Sequence, residues 1–312
     1  MKHMSRRTIL VCWMLSLGSA PGHAAGATMD GQPSLRRAVA WQIALDRRTF
    51  SPGLIDGLIG PKTRLATRAF QRVRDLPETG ELDVATWFAL EVDPEHALRE
   101  HTVTADDLTH VGPTATGWKA KSRLERLGYP SNLAAVAERF HCSKGLLRQL
   151  NPGMTDPVVG DRLTVPNVDA ARAAARADSL TIDMNEKTIR AVDDDGRLVG
   201  LFHCSVARHK EKRPTGKAEV VNIARDPVYT FNPRMWPEVR DVHETLRIPP
   251  GPTNPVGLCW IGLSLRGYGI HGTPNPELIG KTGSHGCFRL TNWDALHLAK
   301  MVRPGTAIHF VN

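Results

Sequence analysis

The spacing of hydrophobic positions changes along the chain, from a helical period to a strand period. In residues 34–90, apolar side chains recur three and four positions apart, which predicts three helices. Ser34 and Asp83 are candidate caps of the first and third helix, and Pro61 stands at the first position of the second. The glycine-rich stretch 51–60 predicts tight turns. Residues 34–90 therefore predict a small three-helix bundle.

The middle of the chain carries a different order of elements. Residues 101–104 are a candidate opening strand, and the apolar spacing in 133–140 and 143–150 predicts two short helices. Residues 159–166 predict a turn followed by a strand. The order is strand, helix, helix, strand, with a long insertion after the first strand.

The C-terminal part, 179–312, has the pattern of short β-strands. It follows an alanine- and arginine-rich stretch, 169–178, that predicts a helical linker. Residues 226–256 hold seven prolines, which is too many for central strands and predicts a long ordered loop near the ligand. Strands are predicted over 180–184, 187–192, 197–206, 259–265, 268–273 and 307–311, with hairpin turns at 193–196 and 266–267 and a helix over 293–302.

Together these patterns predict a multi-domain α+β protein. At 312 residues the chain exceeds what one hydrophobic core usually organises. The predicted units are a three-helix bundle at 34–90, a βααβ segment at 101–168 and a mostly-β domain at 179–312.

The first residues have the pattern of an export signal. Basic residues are followed by an apolar run, 9–17, and then by small residues, which predicts a signal peptide over 1–27. The pair Arg6 and Arg7 fits a general or a twin-arginine signal, and the sequence leaves both open. We therefore expect an exported protein of the periplasm or cell envelope.

Charge and hydropathy argue against two kinds of partner, nucleic acid and the membrane interior. The formal charge of +8 falls to +5 when the signal peptide and its Lys2, Arg6 and Arg7 are removed. The remaining basic residues are scattered, without a basic helix, which argues against nucleic acid. Beyond the N-terminus no apolar run is long enough for stable membrane insertion. Four cysteines remain, Cys142, Cys204, Cys259 and Cys287, and the sequence leaves their pairing open.

Candidate chemistry is concentrated in residues 284–290, around Cys287. A cysteine nucleophile reacts as its thiolate, and a free thiol with a pKa of about 8.5 needs a base or cation nearby. His285 lies two positions before Cys287, and His271 lies sixteen positions before it at the end of a predicted strand. A Cys–His pair suits nucleophilic acyl transfer. A zinc site of His271, His285 and Cys287 is the metal-binding alternative.

The segment 284–290 resembles the active-site signature of the L,D-transpeptidase catalytic domain, also called YkuD. The resemblance extends over 179–312. It implies Cys287 as nucleophile and His271 as proton donor and acceptor, oriented by the Gly272 carbonyl. Further matching stretches are 214–216, 249–252, 254–257, 268–273 and 305–306. The backbone N–H groups of His285, Gly286 and Cys287 are its candidate oxyanion hole. Ser284, His285 and Arg289 are implied for orientation or substrate contact, with Arg289 either contacting a substrate carboxylate or bracing the loop.

Two further resemblances concern the N-terminal half. Residues 55–63, 69–71 and 76–87 resemble a small peptidoglycan-binding domain, so we expect 34–90 to bind cell wall. Residues 101–168 are similar to a LysM module, whose strand–helix–helix–strand unit binds glycan. They depart from it in the insertion that holds Trp118.

The resemblance implies a reaction and its partners. The thiolate attacks the carbonyl of the third residue of a peptidoglycan tetrapeptide stem and expels D-alanine, with no metal or organic cofactor. An amine of a second stem then gives a 3–3 cross-link, a lysine of a wall-linked lipoprotein gives an anchored protein, and water gives a trimmed tripeptide. A non-catalytic scaffold that binds peptidoglycan stems and glycan is the alternative from another functional class.

Overall fold

A computed structural model describes residues 33–168, 175–236 and 238–311. The predicted signal peptide and residues 169–174 of the predicted linker lie outside the described residues. The helices are α1 (Leu35–Arg47), α2 (Pro61–Val73), α3 (Val84–Leu90), α4 (Ala105–Leu108), α5 (Trp118–Ser122), α6 (Asn132–Arg139), α7 (Lys144–Leu150) and α8 (Asn292–Met301). The strands are β1 (Leu98–Thr102), β2 (Arg162–Pro166), β3 (Ser179–Asp183), β4 (Thr188–Val192), β5 (Leu198–His203), β6 (Gly216–Arg225), β7 (Tyr229–Phe231), β8 (Leu246–Ile248), β9 (Cys259–Leu263), β10 (Gly269–His271), β11 (Phe288–Arg289) and β12 (Ala307–Val311).

The three helices predicted in 34–90 are present. Pro61 is the first residue of α2, and Asp83 caps α3 by accepting the Thr86 N–H at 2.8 Å. Ser34 stands at the predicted N-cap position of α1. Its side chain makes no capping hydrogen bond, so the prediction that it caps the helix in this way is wrong. The buried Gln71 amide ties α2 to the following turn and to Thr86.

The middle segment has the predicted strand–helix–helix–strand order, with extra helices in the insertion. β1 pairs antiparallel with β2, and α6 and α7 lie between them in the chain. The side chains of Ser131 and Ser143 cap these two helices. The first strand begins at Leu98, three residues before the predicted position, because the pairing with β2 extends to Pro166.

Short β-bridges join the first helical unit to both of its neighbours. The Ser51 N–H donates to Leu201 O, and the Leu201 N–H donates to Thr49 O, each at 2.8 Å. Ile55 exchanges backbone hydrogen bonds with His141 and Ser143, at 2.9 and 3.0 Å. The turn between α1 and α2 therefore contacts both the middle segment and the C-terminal domain.

The C-terminal domain is built on a mixed sheet. Within the described residues, eight strands run in the order β11-β10-β9-β6-β12-β3-β4-β5. β12 pairs parallel with β3, and β10 pairs parallel with β11, while the other neighbours are antiparallel. Helix α8 packs its buried Ala295 and Leu298 into the sheet's core. The prediction of a mostly-β domain is confirmed.

Strand β6, the longest in the described residues, is absent from the sequence prediction. Of its side chains only Val220 is fully buried, and charged or polar residues occupy much of the rest. Without an apolar face the strand has no period-two signal. Its position is fixed by backbone pairing with β12 on one side and β9 on the other.

Residues 226–256 contain a hairpin that the sequence prediction describes only as a loop. β7 and β8 pair antiparallel outside the main sheet, which agrees with the exclusion of central strands by the prolines. The hairpin forms a small core in which Leu127, Phe231 and Ile248 are fully buried. Leu127 belongs to the middle segment, so this core joins two parts of the chain.

The described end of the predicted linker is not helical. Residues 175–178 form neither a helix nor a strand, and Ala177 is buried in the sheet's core, where its N–H donates to Met301 O at 2.9 Å. Alanine composition alone does not reveal such burial. Across 33–168, 175–236 and 238–311, no helix has the length and apolar character needed to cross a membrane.

Replacing Phe70 by alanine tests the N-terminal core. Phe70 is 1% exposed and meets Phe50 edge-to-face at 5.6 Å, so we expect Phe70→Ala to lower the free energy of unfolding of this unit by about 3–5 kcal/mol. Phe88→Ala is the matched control, because Phe88 is 74% exposed, and its effect should stay within about 0.5 kcal/mol. Denaturant unfolding of both variants measures the difference, and equal effects would contradict this core.

Candidate active site

The parallel pairing of β10 with β11 brings distant residues to one face of the sheet. Ile270 pairs with Phe288, and His271 pairs with Arg289. Ile270 and Phe288 are 0% exposed and point into the core, so the alternation of side chains turns His271 and Arg289 to the other face. Cys287 directly precedes β11 and is two positions from Arg289.

The sulfur of Cys287 lies against the beginning of β10. Its S–H donates to Gly267 O at 3.5 Å, and the Gly269 N–H donates to the sulfur. Because β10 ends at His271, the thiol and the imidazole lie along the same short strand. The pairing of β10 with β11 thus brings Cys287 next to the strand that contains His271, although the two residues are sixteen positions apart in sequence.

The imidazole of His271 is held in one tautomer. Its Nδ1 lies 2.6 Å from Gly272 O, and a carbonyl oxygen can only accept, so Nδ1 carries the proton and Nε2 is an acceptor. The ring is stacked on Trp260, with centroids 5.8 Å apart. Burial lowers the pKa of His271 to about 4, which keeps the ring neutral near pH 7.

Gly272 must be a glycine because of its neighbour Asn292. A Cβ at position 272 would collide with the Asn292 side-chain oxygen, which also accepts the Leu258 N–H at 3.0 Å. The Asn292 amide nitrogen donates to Glu138 at 2.9 Å. The Asn292 side chain is therefore fixed through both its oxygen and its nitrogen, and it packs directly against Gly272, the residue whose carbonyl orients His271.

The thiol of Cys287 is neutral in this environment. Burial raises its pKa to about 11, although the Gly269 N–H and the charge of Arg289 both favour the thiolate. With the imidazole also neutral, the pair holds one proton on sulfur and a free acceptor at His271 Nε2. A resting thiolate–imidazolium pair is therefore not the ground state of these two groups.

The loop before Cys287 is braced by Ser284. Its hydroxyl donates to Cys287 O at 2.5 Å and accepts the Gly286 N–H at 3.2 Å. The Gly286 N–H is therefore already engaged. Among the three backbone N–H groups of the predicted oxyanion hole, those of His285 and Cys287 are the stronger candidates.

Arg289 braces the same loop from the other side. Its Nη2 donates to Thr282 O at 2.9 Å, to Thr282 Oγ1 at 3.1 Å and to Gly283 O at 2.8 Å. Of the two roles implied by the sequence, substrate contact or loop support, this geometry corresponds to loop support. Burial lowers the pKa of the guanidinium, which nevertheless stays charged at neutral pH.

His285 contacts the proline-rich segment. Its Nε2 donates to Glu238 Oε1 at 2.7 Å, and its ring lies 4.1 Å from that of Trp236. Within the described residues, the cluster whose ligand atoms converge for a metal is Asp193, Asp194 and Asp195 in an exposed turn. His271, His285 and Cys287 do not converge in this way, so the geometry does not support the zinc alternative.

Sequence reasoning missed several side chains around His271, His285 and Cys287. Trp236, Glu238 and Tyr229 come from the proline-rich segment, and the charge of a Cys287 thiolate adds to burial in raising the pKa of Tyr229. Trp260 comes from β9. The prolines of 226–256 predict a loop near the site, but they do not predict which side chains of that loop contact it.

The other three cysteines are buried and lie apart from this chemistry. Cys142, Cys204 and Cys259 are free thiols, like Cys287. Burial raises the pKa of each of them, to about 12 for Cys142 and about 11 for Cys259. The pairing of Cys204 with Cys259 that the sequence leaves open is not formed.

Comparison with known proteins assigns both ends of the chain. The L,D-transpeptidase catalytic domain family, YkuD, matches residues 177–310, and the family described as "Putative peptidoglycan binding domain" matches residues 36–90. A Bacillus licheniformis protein named "Putative L,D-transpeptidase YkuD" is 30% identical over 178 residues, or 91% of its length and 56% of this chain. The chain belongs to the L,D-transpeptidase family.

Further L,D-transpeptidases are similar to this one. The Bacillus subtilis protein of the same name is 29% identical over 186 residues, covering 91% of its length and 56% of this chain. The crystal structure of L,D-transpeptidase 3 from Mycobacterium tuberculosis with a faropenem-derived adduct shares 18% identity at a TM-score of 0.36, covering 51% of this chain and 77% of that one. The predicted resemblances of 179–312 and 34–90 are confirmed, and that of 101–168 to a LysM module stays a prediction.

The pH dependence of Cys287 alkylation tests the neutral pair. Burial disfavours the thiolate, so deprotonation moves to higher pH, and alkylation by iodoacetamide should rise about tenfold per unit between about pH 7 and pH 10. Peptide mapping by mass spectrometry measures the rate at Cys287. N-acetylcysteine in the same tube is the control and should level off above about pH 9. A plateau for Cys287 near about pH 8 would contradict the raised pKa.

Proposed function

We propose that this L,D-transpeptidase acts on peptidoglycan by cysteine acyl transfer, with Cys287 as nucleophile and His271 as proton acceptor and donor. The observation that carries the proposal is the fixed tautomer of His271, whose Nε2 is left free on the face that also bears the thiol. The match of residues 36–90 to a peptidoglycan-binding family supports the cell wall as the substrate.

The first half-reaction forms a thioester. As the sulfur attacks the carbonyl carbon of the third residue of a tetrapeptide stem, the thiol proton passes to His271 Nε2. The backbone N–H groups of His285 and Cys287 stabilise the oxyanion of the tetrahedral intermediate. The imidazolium then returns its proton to the leaving amine, and D-alanine departs with that amine neutral.

The second half-reaction depends on the acceptor. An amine of a second stem gives a 3–3 cross-link, which we take as the main product. The amine loses its proton to His271 as it attacks the thioester, and the proton returns to the sulfur when the C–S bond breaks. A lysine of a wall-linked lipoprotein would anchor that protein, and water would release a tripeptide by the same proton transfers.

The units ahead of the catalytic domain suit a protein of the cell envelope. We propose that residues 34–90 hold the enzyme on peptidoglycan, and that 101–168 contributes to glycan contact. Export by the signal peptide at 1–27 would place the enzyme in the periplasm, where stems are accessible. This arrangement raises the local concentration of stem peptide at the catalytic domain.

Incubation with a disaccharide-tetrapeptide, followed by mass spectrometry, tests the reaction. A dimer lacking one D-alanine is expected for cross-linking, and a monomer lacking D-alanine for trimming. Cys287→Ala should abolish both products, because no other thiol faces the site in the described residues. His271→Gln should slow them about 10²- to 10⁴-fold through loss of proton transfer.

Two controls make the result decisive. Cys142→Ala removes a thiol from the N-terminal core and should leave the rate unchanged. Binding to isolated sacculi is measured in parallel for every variant. A wild-type protein that binds sacculi but releases no D-alanine from any stem would favour the non-catalytic scaffold.

A further inference from the structure

The insertion in the middle segment places a tryptophan outside that segment's own core. Trp118, the first residue of α5, is stacked on Phe231 of β7 with ring centroids 4.0 Å apart and an interplanar angle of 20°. Its ring also lies 5.2 Å from Trp236 and 6.0 Å from Tyr229. Trp118 thus packs against residues 226–236, here called the cover segment.

The cover segment reaches the active-site loop at its far end. Trp236 lies 4.1 Å from the His285 ring, and its indole N–H donates to the Tyr229 hydroxyl at 3.2 Å. The methyl end of Met235 lies beside Gly267, whose carbonyl accepts the Cys287 thiol. A continuous run of rings therefore connects Trp118 to the loop that carries the nucleophile.

Polar contacts hold the two ends of the surrounding hairpin. Arg126 makes a bidentate ion pair with Asp226, with distances of 2.5 and 3.1 Å. The Leu127 N–H donates to Pro250 O at 2.9 Å, and the Thr253 hydroxyl donates to Gly128 O at 3.0 Å. Trp118 lies between these ends and contacts the cover segment through its ring.

We infer that Trp118 is a positioning residue for acyl transfer: through Phe231 and Trp236 it fixes the cover segment against the Cys287 loop and so shapes the cleft that receives the stem peptide. The inference rests on the proposed function for its catalytic consequence. The placement of the cover segment is independent of that function. The insertion that departs from a LysM module thereby has a role in the active site.

The catalytic consequence should appear in KM more than in kcat. Without the Trp118 ring, the cover segment must be ordered by the substrate itself, so Trp118→Ala should raise the KM for tetrapeptide about tenfold and change kcat less than about threefold. Trp118→Phe keeps a flat ring against Phe231 and should restore most of the affinity. A similar fall in kcat for both variants would contradict a positioning role.

Alkylation of Cys287 tests the inference without any substrate. With the cover segment loosened, iodoacetamide at constant pH should label Cys287 about tenfold faster in Trp118→Ala than in wild type, and Trp118→Phe should return to the wild-type rate. Trp87→Ala is the matched control, a half-buried tryptophan of α3 that lies outside the cover segment, and its rate should not change. Trp118→Leu, which keeps apolar volume, carries the test if the alanine variant does not fold.

The two readouts separate the inference from the proposed function. Faster labelling in the alanine or leucine variant supports the role of Trp118 even if wild-type protein releases no D-alanine. Wild-type labelling rates and wild-type KM in every Trp118 variant would overturn it, while the proposed function would stand.

Discussion

The structure of the site depends on one constraint, the register of β10 against β11. Ile270 and Phe288 occupy the buried face of this parallel pair, and their burial makes a one-residue slip costly because it would turn His271 into the core. The position of the thiol follows from the same register, since Cys287 precedes the pair by one residue. Two apolar side chains thus decide the orientation of the polar ones.

On the opposite face of this strand pair, the burial of Cys287 and His271 sets their charge state. Enclosure disfavours charge on either group, so it raises the pKa of the thiol to about 11 and lowers that of the imidazole to about 4. Because the pKa of the thiol lies above pH 7 and that of the imidazole lies below it, both groups are neutral near pH 7. In the proposed mechanism, the sulfur therefore becomes nucleophilic as Nε2 accepts its proton during attack on the substrate carbonyl.

The sequence was sufficient for the parts of the fold that carry periodic apolar residues or strong turn and cap signals. α2 with Pro61, α3 with Asp83 and the strand 307–311 are where the pattern places them. β6 has no apolar face, so only its two partners define it. The hydrophobic pattern describes one segment of the chain at a time. It therefore does not predict a strand that is formed only through backbone pairing with distant segments.

The residues of the candidate site also fall into those with a local sequence signal and those placed by distant contacts. Cys287, His271 and Gly272 follow from a local motif, and the sixteen-residue gap between the first two is closed by a strand pair that the sequence predicted in part. Trp236 and Trp118 cannot be found in this way, because their contact joins segments more than a hundred residues apart.

Contacts from the middle segment also reach the backbone next to His271. The Glu138 carboxyl is buried between the Tyr129 hydroxyl, at 2.7 Å, and the Asn292 amide, at 2.9 Å, and burial raises its pKa to about 7. Asn292 in turn stands against Gly272, whose carbonyl fixes the His271 tautomer. Glu138 thus supports the backbone at Gly272 through Asn292, and Trp118 supports the cover segment through Phe231. The middle segment is therefore a structural support of the candidate site, in addition to the glycan contact proposed for it.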